Sequence, residues 1–171
     1  MNASRKSFEG PGSLVVISGP SGSGKTTICR ALARRDDVEL SVSATTRVMR
    51  KGEVDGQDYY FLSADDFDAK VREGAFLEHA SYNGNRYGTL ASVVQEQAGR
   101  VSVVILEIEV QGTQQLLEAG VSATYIFVMP PSLGELERRL VARETEDEAT
   151  IQRRLEIARD EMDMAHLYDH V

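Results

Sequence analysis

Gly19-Pro20-Ser21-Gly22-Ser23-Gly24-Lys25-Thr26 satisfies the phosphate-loop pattern G-x-x-x-x-G-K-[ST] at every position. Its flanks supply the context that pattern needs. Upstream, Ser13 to Ser18 reads Ser-Leu-Val-Val-Ile-Ser, a short β-branched apolar run that predicts a buried parallel strand. Downstream, Ile28, Cys29, Leu32 and Ala33 fall at the spacing of one buried stripe on a helix over Lys25 to Arg35, with Cys29 as a core thiol. Strand, glycine-rich turn and helix in that order open a βαβ unit. The glycines let backbone N–H groups turn toward a phosphate, the helix N-terminus adds its dipole, and the lysine supplies a fixed cation. Gly19 through Thr27 is therefore expected to hold a nucleotide, with Lys25 on the terminal phosphates and the Thr26 hydroxyl on Mg2+. The loop alone leaves open whether the phosphate goes to water, a motor cycle or an acceptor.

Two later apolar runs, Val101 to Leu106 and Ala123 to Met129, repeat the first, and each follows a helix-like segment closed by a glycine, Gly99 or Gly120. This alternation predicts an α/β core with a parallel sheet covered on both faces, the three-layer arrangement. Ser132-x-x-Glu135 is a capping box opening a helix to about Ala142, and Thr145-x-x-Glu148 opens the last helix. The charged stretch Arg143 to Asp147 between them reads as a lid, placed at about 139–154. The middle breaks the rhythm: Ser63-x-x-Asp66 starts a short helix, and Leu77 to Tyr82 meets Asn83-Gly84, a strong hairpin signal. The expected organisation is a tail at 1–12 and one domain at 13–171. Its core takes 13–37 and 92–171, and a small mixed insert takes 38–91.

The 171 residues suit one domain, and 27% charged with 42% hydrophobic residues is the balance of a soluble globular chain. No apolar run reaches the roughly 20 residues of a membrane helix, and no signal-type segment is visible, so a cytoplasmic location is expected. With 19 Lys plus Arg against 27 Asp plus Glu, the net charge of −8 disfavours nucleic acid and anionic membranes as partners. One cysteine and three histidines exclude a disulfide framework and a cysteine-rich zinc site.

Ser43-Ala44-Thr45-Thr46-Arg47-x-x-Arg50-x-Gly52-Glu53-x-x-Gly56-x-Asp58-Tyr59 concentrates arginines in this acidic chain. Guanidinium forks match phosphate geometry, so a second phosphate-type site beside a complete phosphate loop suggests a donor and a phosphorylated acceptor. Together with Phe-Leu-Glu at 76–78, Tyr-Gly-Thr at 87–89, Leu-Glu-Ile-x-x-Gln-Gly at 106–112 and Pro-Pro-Ser at 130–132, these motifs resemble the guanylate kinases. The resemblance runs from Gly12 onward. It implies a P-loop kinase that moves the γ-phosphate of ATP to GMP with Mg2+, as a monomer or homodimer. By position, it implies that Arg47, Arg50, Tyr59 and Tyr87 hold the GMP phosphate, while Ser43, Glu78 and Thr89 face the guanine and Glu53 completes the acceptor site. Lys25 and Arg47 would act in transfer with Arg139, Arg143 and Arg154, which match the family's lid arginines.

Guanine presents two adjacent donors, N1–H and the N2 amino group, to a carboxylate such as Glu78, whereas adenine would leave that carboxylate unpaired. Glu107 and Glu109 end an apolar run, where an acidic group near Mg2+ or the acceptor is expected. Glu109 stands where the family more often has Asp, and Glu144 where it often has Gly. The family pattern also continues beyond Tyr168-Asp169-His170-Val171 into a last strand and a helix that this sequence is expected to lack. Two other readings fit parts of the pattern: a phosphopeptide-binding module of guanylate-kinase type, and a P-loop kinase acting on a phosphorylated sugar.

Overall fold

Strand β1 (Ser13–Ser18) lies between two parallel neighbours in the computed structural model, which describes residues 10, 12–82, 84–141 and 148–171. Those neighbours are β7 (Val103–Glu107) and β8 (Thr124–Phe127), and β2 (Val38–Leu40) pairs outside β7, giving the order β2-β7-β1-β8. Every pairing is parallel, so all carboxyl ends share one edge, the edge at which α/β sheets carry ligands. The register sets Ile17 beside Glu107 and Ser18 beside Phe127 there. The continuous apolar reading of β1 and β7 follows from burial on both faces. Val16, Val104 and Leu106 pack with Val94 of α3 (Ala91–Ala98) and Leu116 of α4 (Val110–Glu118), while Ile17 and Ile105 pack with Cys29 of α1 (Lys25–Leu32).

A second sheet, ordered β4-β3-β6-β5, forms the insert. Its strands are β3 (Ala44–Thr45), β4 (Tyr60–Phe61), β5 (Phe76–Tyr82) and β6 (Asn85–Leu90), with only the β3–β4 pairing parallel. Helix α2 (Ala64–Arg72) starts at Ser63, whose hydroxyl accepts from the Asp66 N–H. Gly84, at φ 75°, makes the turn joining β5 to β6. The insert rests on the core through α4: the Gln115 amide donates to His79 O at 2.7 Å and accepts from His79 N–H at 3.1 Å. Helices α5 (Leu133–Val141) and α6 (Glu148–Asp163) bury Leu136, Leu140, Ile151, Leu155 and Ala158 against one another. The Ser132 hydroxyl caps α5 by accepting from Glu135 N–H at 3.1 Å. Past a 3-10 turn at Met164–Leu167, His170 pairs in parallel with Ile126 of β8.

Several sequence expectations change. Helix α1 ends at Leu32, not Arg35, and Ile28 and Leu32 are 41% and 39% exposed. Cys29 is the position on the expected stripe that reaches the sheet. Strand β7 starts at Val103 because the Val101 N–H is taken by Gln97 O at the end of α3. Strand β8 stops at Phe127, with Met129 already exposed. Val38 to Leu40, counted with the insert from sequence, belong to the parallel sheet. Gly120 closes its helix in the left-handed region at φ 68°, whereas Gly99 stays right-handed at φ −74°. Thr145, the expected cap of the last helix, and the stretch Arg143 to Asp147 lie outside the described residues.

Candidate active site

The phosphate loop turns from β1 into α1 at the carboxyl edge of the sheet. Gly19 adopts φ 140°, and a Cβ there would overlap Val128 O, so glycine alone fits. Lys25 is 7% exposed; its ammonium donates to Gly19 O at 2.5 Å and Pro20 O at 3.1 Å, and Glu109 lies 3.9 Å away. The exposed Thr26 hydroxyl donates to Glu107 Oε1 at 2.5 Å. Thr27 beside it is exposed, its N–H bonded to Gly24 O at 3.1 Å. From α5, Arg139 Nη1 donates to Gly22 O and Ser23 O, each at 3.3 Å, while its Nε donates to Glu135 at 2.8 Å. Burial raises the Tyr82 phenol, at the end of β5, above its ordinary value, with Arg154 and Ser21 opposing.

On the insert, Arg47 Nη1 and Nη2 meet the two Glu53 oxygens at 3.0 and 2.7 Å, and Nη1 also donates to Val48 O at 2.9 Å. The guanidinium lies 5.2 Å from the Tyr59 ring and 5.7 Å from the Phe61 ring. Hydrogen bonding from Arg47, then from the Arg50 N–H, holds Glu53 below the usual carboxylate range. A guanidinium has five N–H groups, so these bonds leave the side edge, Nε–H with the second Nη2–H, as an intact fork. The Tyr59 and Tyr87 rings meet edge to face at 6.0 Å. Arg50 points outward, and half-buried Ser43 accepts the Tyr60 N–H on its carbonyl.

Glu78 is 5% exposed, and its Oε1 accepts the Thr89 hydroxyl at 2.7 Å. Burial, against the Thr89 hydrogen bonds and with a further push from Glu109, raises this carboxyl to about 7. A cavity of about 550 Å³ runs between the β5–β6 hairpin, α4 and α6, with Tyr82, Glu109, Arg154 and Glu161 on its walls. Glu161 is pushed up to about 7 by burial and then by Glu109, with Lys25 opposing. No group of three or more His, Cys, Asp or Glu among the described residues could hold a metal by itself. The Thr26 hydroxyl and the Glu107 carboxylate are oxygen donors of the kind a hard divalent cation takes.

The family profile described as Guanylate kinase matches residues 12–171. The chain belongs to the guanylate kinase family. It is 47% identical over 161 residues to a guanylate kinase of Halalkalibacterium halodurans, covering 94% of this chain and 79% of that one. To the guanylate kinase of Synechococcus elongatus it is 50% identical over 159 residues, 92% and 87% of the two chains. The crystal structure of guanylate kinase from Anaplasma phagocytophilum superposes with a TM-score of 0.73 at 34% identity, covering 94% of this chain and 75% of that one. The α/β architecture with its phosphate loop is that of the guanylate kinases.

Within this guanylate kinase fold, Lys25, Thr26, Glu107, Glu109 and Arg139 gather at the loop. Arg47, Glu53, Tyr59 and Tyr87 form a second cluster, and Glu78 with Thr89 a third. Arg154 lines the cavity, Arg50 is exposed and joins the second cluster through its N–H on Glu53, and Arg143 lies outside the described residues. Sequence reasoning missed Glu161, Tyr82 and Gly112. Glu161 follows Arg154 by seven residues, two helical turns on the same face, a spacing that could have flagged it. Tyr82 carried no signal beyond its place before the Asn83-Gly84 turn. Gly112 is a glycine inside a helix, a signal in its own right.

Proposed function

We propose that this guanylate-kinase-family chain transfers the γ-phosphate of ATP to GMP, giving ADP and GDP, in the presence of Mg2+. The observation that carries the reading is the pairing of a complete phosphate loop around Lys25 with the buried carboxylate of Glu78 on the insert. Relatives named guanylate kinase, matched over 79% and 87% of their own lengths, support it.

Lys25 leaves the carbonyls of Gly19 and Pro20 to meet the donor phosphates, with Arg139 already resting on the same loop. Arg47, oriented by Glu53, presents its remaining fork to the acceptor phosphate, and Tyr59 and Tyr87 flank it. Exposed Arg50 and Arg154 on the cavity wall add positive charge for the phosphates, and Arg143, outside the described residues, is assigned to them by its match to the family's arginines. Ser43, Glu78 and Thr89 read the base. The Glu78 carboxylate, costly to ionise where it is buried, becomes fully charged when guanine N1–H and N2–H donate to it. The second ionisation of a phosphate monoester is near pH 6, so the acceptor oxygen needs no general base. The residues therefore act by alignment and charge neutralisation. Mg2+ held by Thr26 and the phosphates, with Glu107 or Glu109 acting through water, would supply Lewis-acid stabilisation of charge on the transferred group.

The described helices contain none long and apolar enough to cross a membrane, and a chain without nucleic-acid or anionic-membrane partners accords with the −8 charge. The test is ADP release from ATP, Mg2+ and GMP in a coupled assay. GMP-dependent turnover is expected. A folded chain with none, or with equal turnover of AMP, UMP and ribose phosphates, would remove the reading.

A further inference from the structure

Gly112 lies in the first turn of α4, buried, with no positive φ to require a glycine. Glycine in a helix is less favourable than alanine, so its presence needs a packing reason. The neighbour supplies one: a Cβ on Gly112 would overlap Glu78 Oε2 and lie 2.9 Å from its Cδ. Thr89 holds the other oxygen, Oε1, from the opposite strand. The carboxylate is thus seated between a hydroxyl and the bare backbone of a helix, and no side chain on that helix can displace it. The overlapping atoms belong to the end of a flexible side chain, so an added methyl would turn Glu78 away and leave the fold intact.

From this geometry we infer that Gly112 is a positioning residue for base selectivity: by leaving its side-chain space to Glu78, it sets where the guanine-reading carboxylate points. The role rests on Glu78 being the group that meets guanine, as argued above.

Initial rates with GMP and with AMP are compared for the wild type, Gly112→Ala, Glu78→Asp and the double variant, alongside thermal unfolding. Gly112→Ala is expected to keep its unfolding midpoint and to raise KM for GMP about tenfold or more, with a smaller change in kcat. Its GMP-to-AMP ratio of kcat/KM should fall by a similar factor. The double variant, whose carboxylate is one methylene shorter, should be more selective than Gly112→Ala alone. A Gly112→Ala enzyme as selective as an active wild type overturns the role alone. So does a loss that Glu78→Asp fails to relieve, or an alanine chain that does not fold. A wild type without GMP turnover overturns both the role and the functional reading beneath it.

Discussion

Glu53 accepts from both terminal nitrogens of Arg47, at 2.7 and 3.0 Å, and from the Arg50 N–H at 2.7 Å. One carboxylate therefore orients the guanidinium and ties down the loop after it. An arginine fixed in this way loses little rotamer freedom when a phosphate arrives.

Arg47→Ala is expected to weaken GMP binding by roughly 10- to 100-fold, the size of one or two charge-assisted hydrogen bonds. Glu53→Gln should weaken it less, because it loosens the fork without removing it. Calorimetric titration with GMP checks both, and an unchanged GMP affinity in Arg47→Ala would take the residue out of the acceptor site.

Lys25→Ala should lower kcat by about 10²-fold or more while leaving GMP affinity close to wild type, since the side chain belongs to the donor loop. Coupled-assay rates alongside GMP titration test this separation. Equal damage to both quantities would refute two independent sites.

Glu78 gives a pH signature. Its folded value of about 7 stands above the ordinary 4.5, so the folded state holds the proton more tightly. The associated stability is complete below pH 4.5 and is lost as pH rises through about 7, a difference of about 3 kcal/mol. Glu161 is raised in the same direction, so wild type alone would mix the two. Denaturant unfolding of wild type and Glu78→Gln at pH 5 and pH 8 isolates Glu78: the variant should gain relative stability at the higher pH. A constant difference between the two proteins would contradict the buried carboxylate.

Cys29 has no exposed surface, and burial, followed by Glu107, pushes its thiol up to about 12. Thiol reagents should therefore label the native protein only as fast as it opens, and label it at once in denaturant. Rapid native labelling would show α1 to be detached from the sheet.

The phosphate loop, the strand before it and the hairpin turn were legible because each depends on local chemistry: glycine backbone freedom, β-branched runs, an Asn83-Gly84 pair. The stripe on α1 was over-read. Periodicity identifies which residues share a face, but not how far the sheet extends beneath it, and α1 overhangs its support at Ile28 and Leu32. Leu32→Gln should accordingly change stability by less than about 0.5 kcal/mol in thermal unfolding. Within the site, residue types for the donor and acceptor clusters could be listed from sequence, but their partners could not. Arg47 with Glu53 is a six-residue contact and could be guessed, whereas Thr26 with Glu107 and Gly112 with Glu78 join distant segments. Those depend on the order in which strands enter a sheet.

The Gln115 amide on His79 bears on behaviour beyond catalysis. Strand β5 is an outer strand of the insert sheet, and an outer strand with unpaired backbone groups invites a second chain to add itself there. A side-chain amide that both donates and accepts imitates one residue of a neighbouring strand and occupies that position. While the insert rests on α4, the middle of β5 is therefore closed to a second chain as a seed for aggregation.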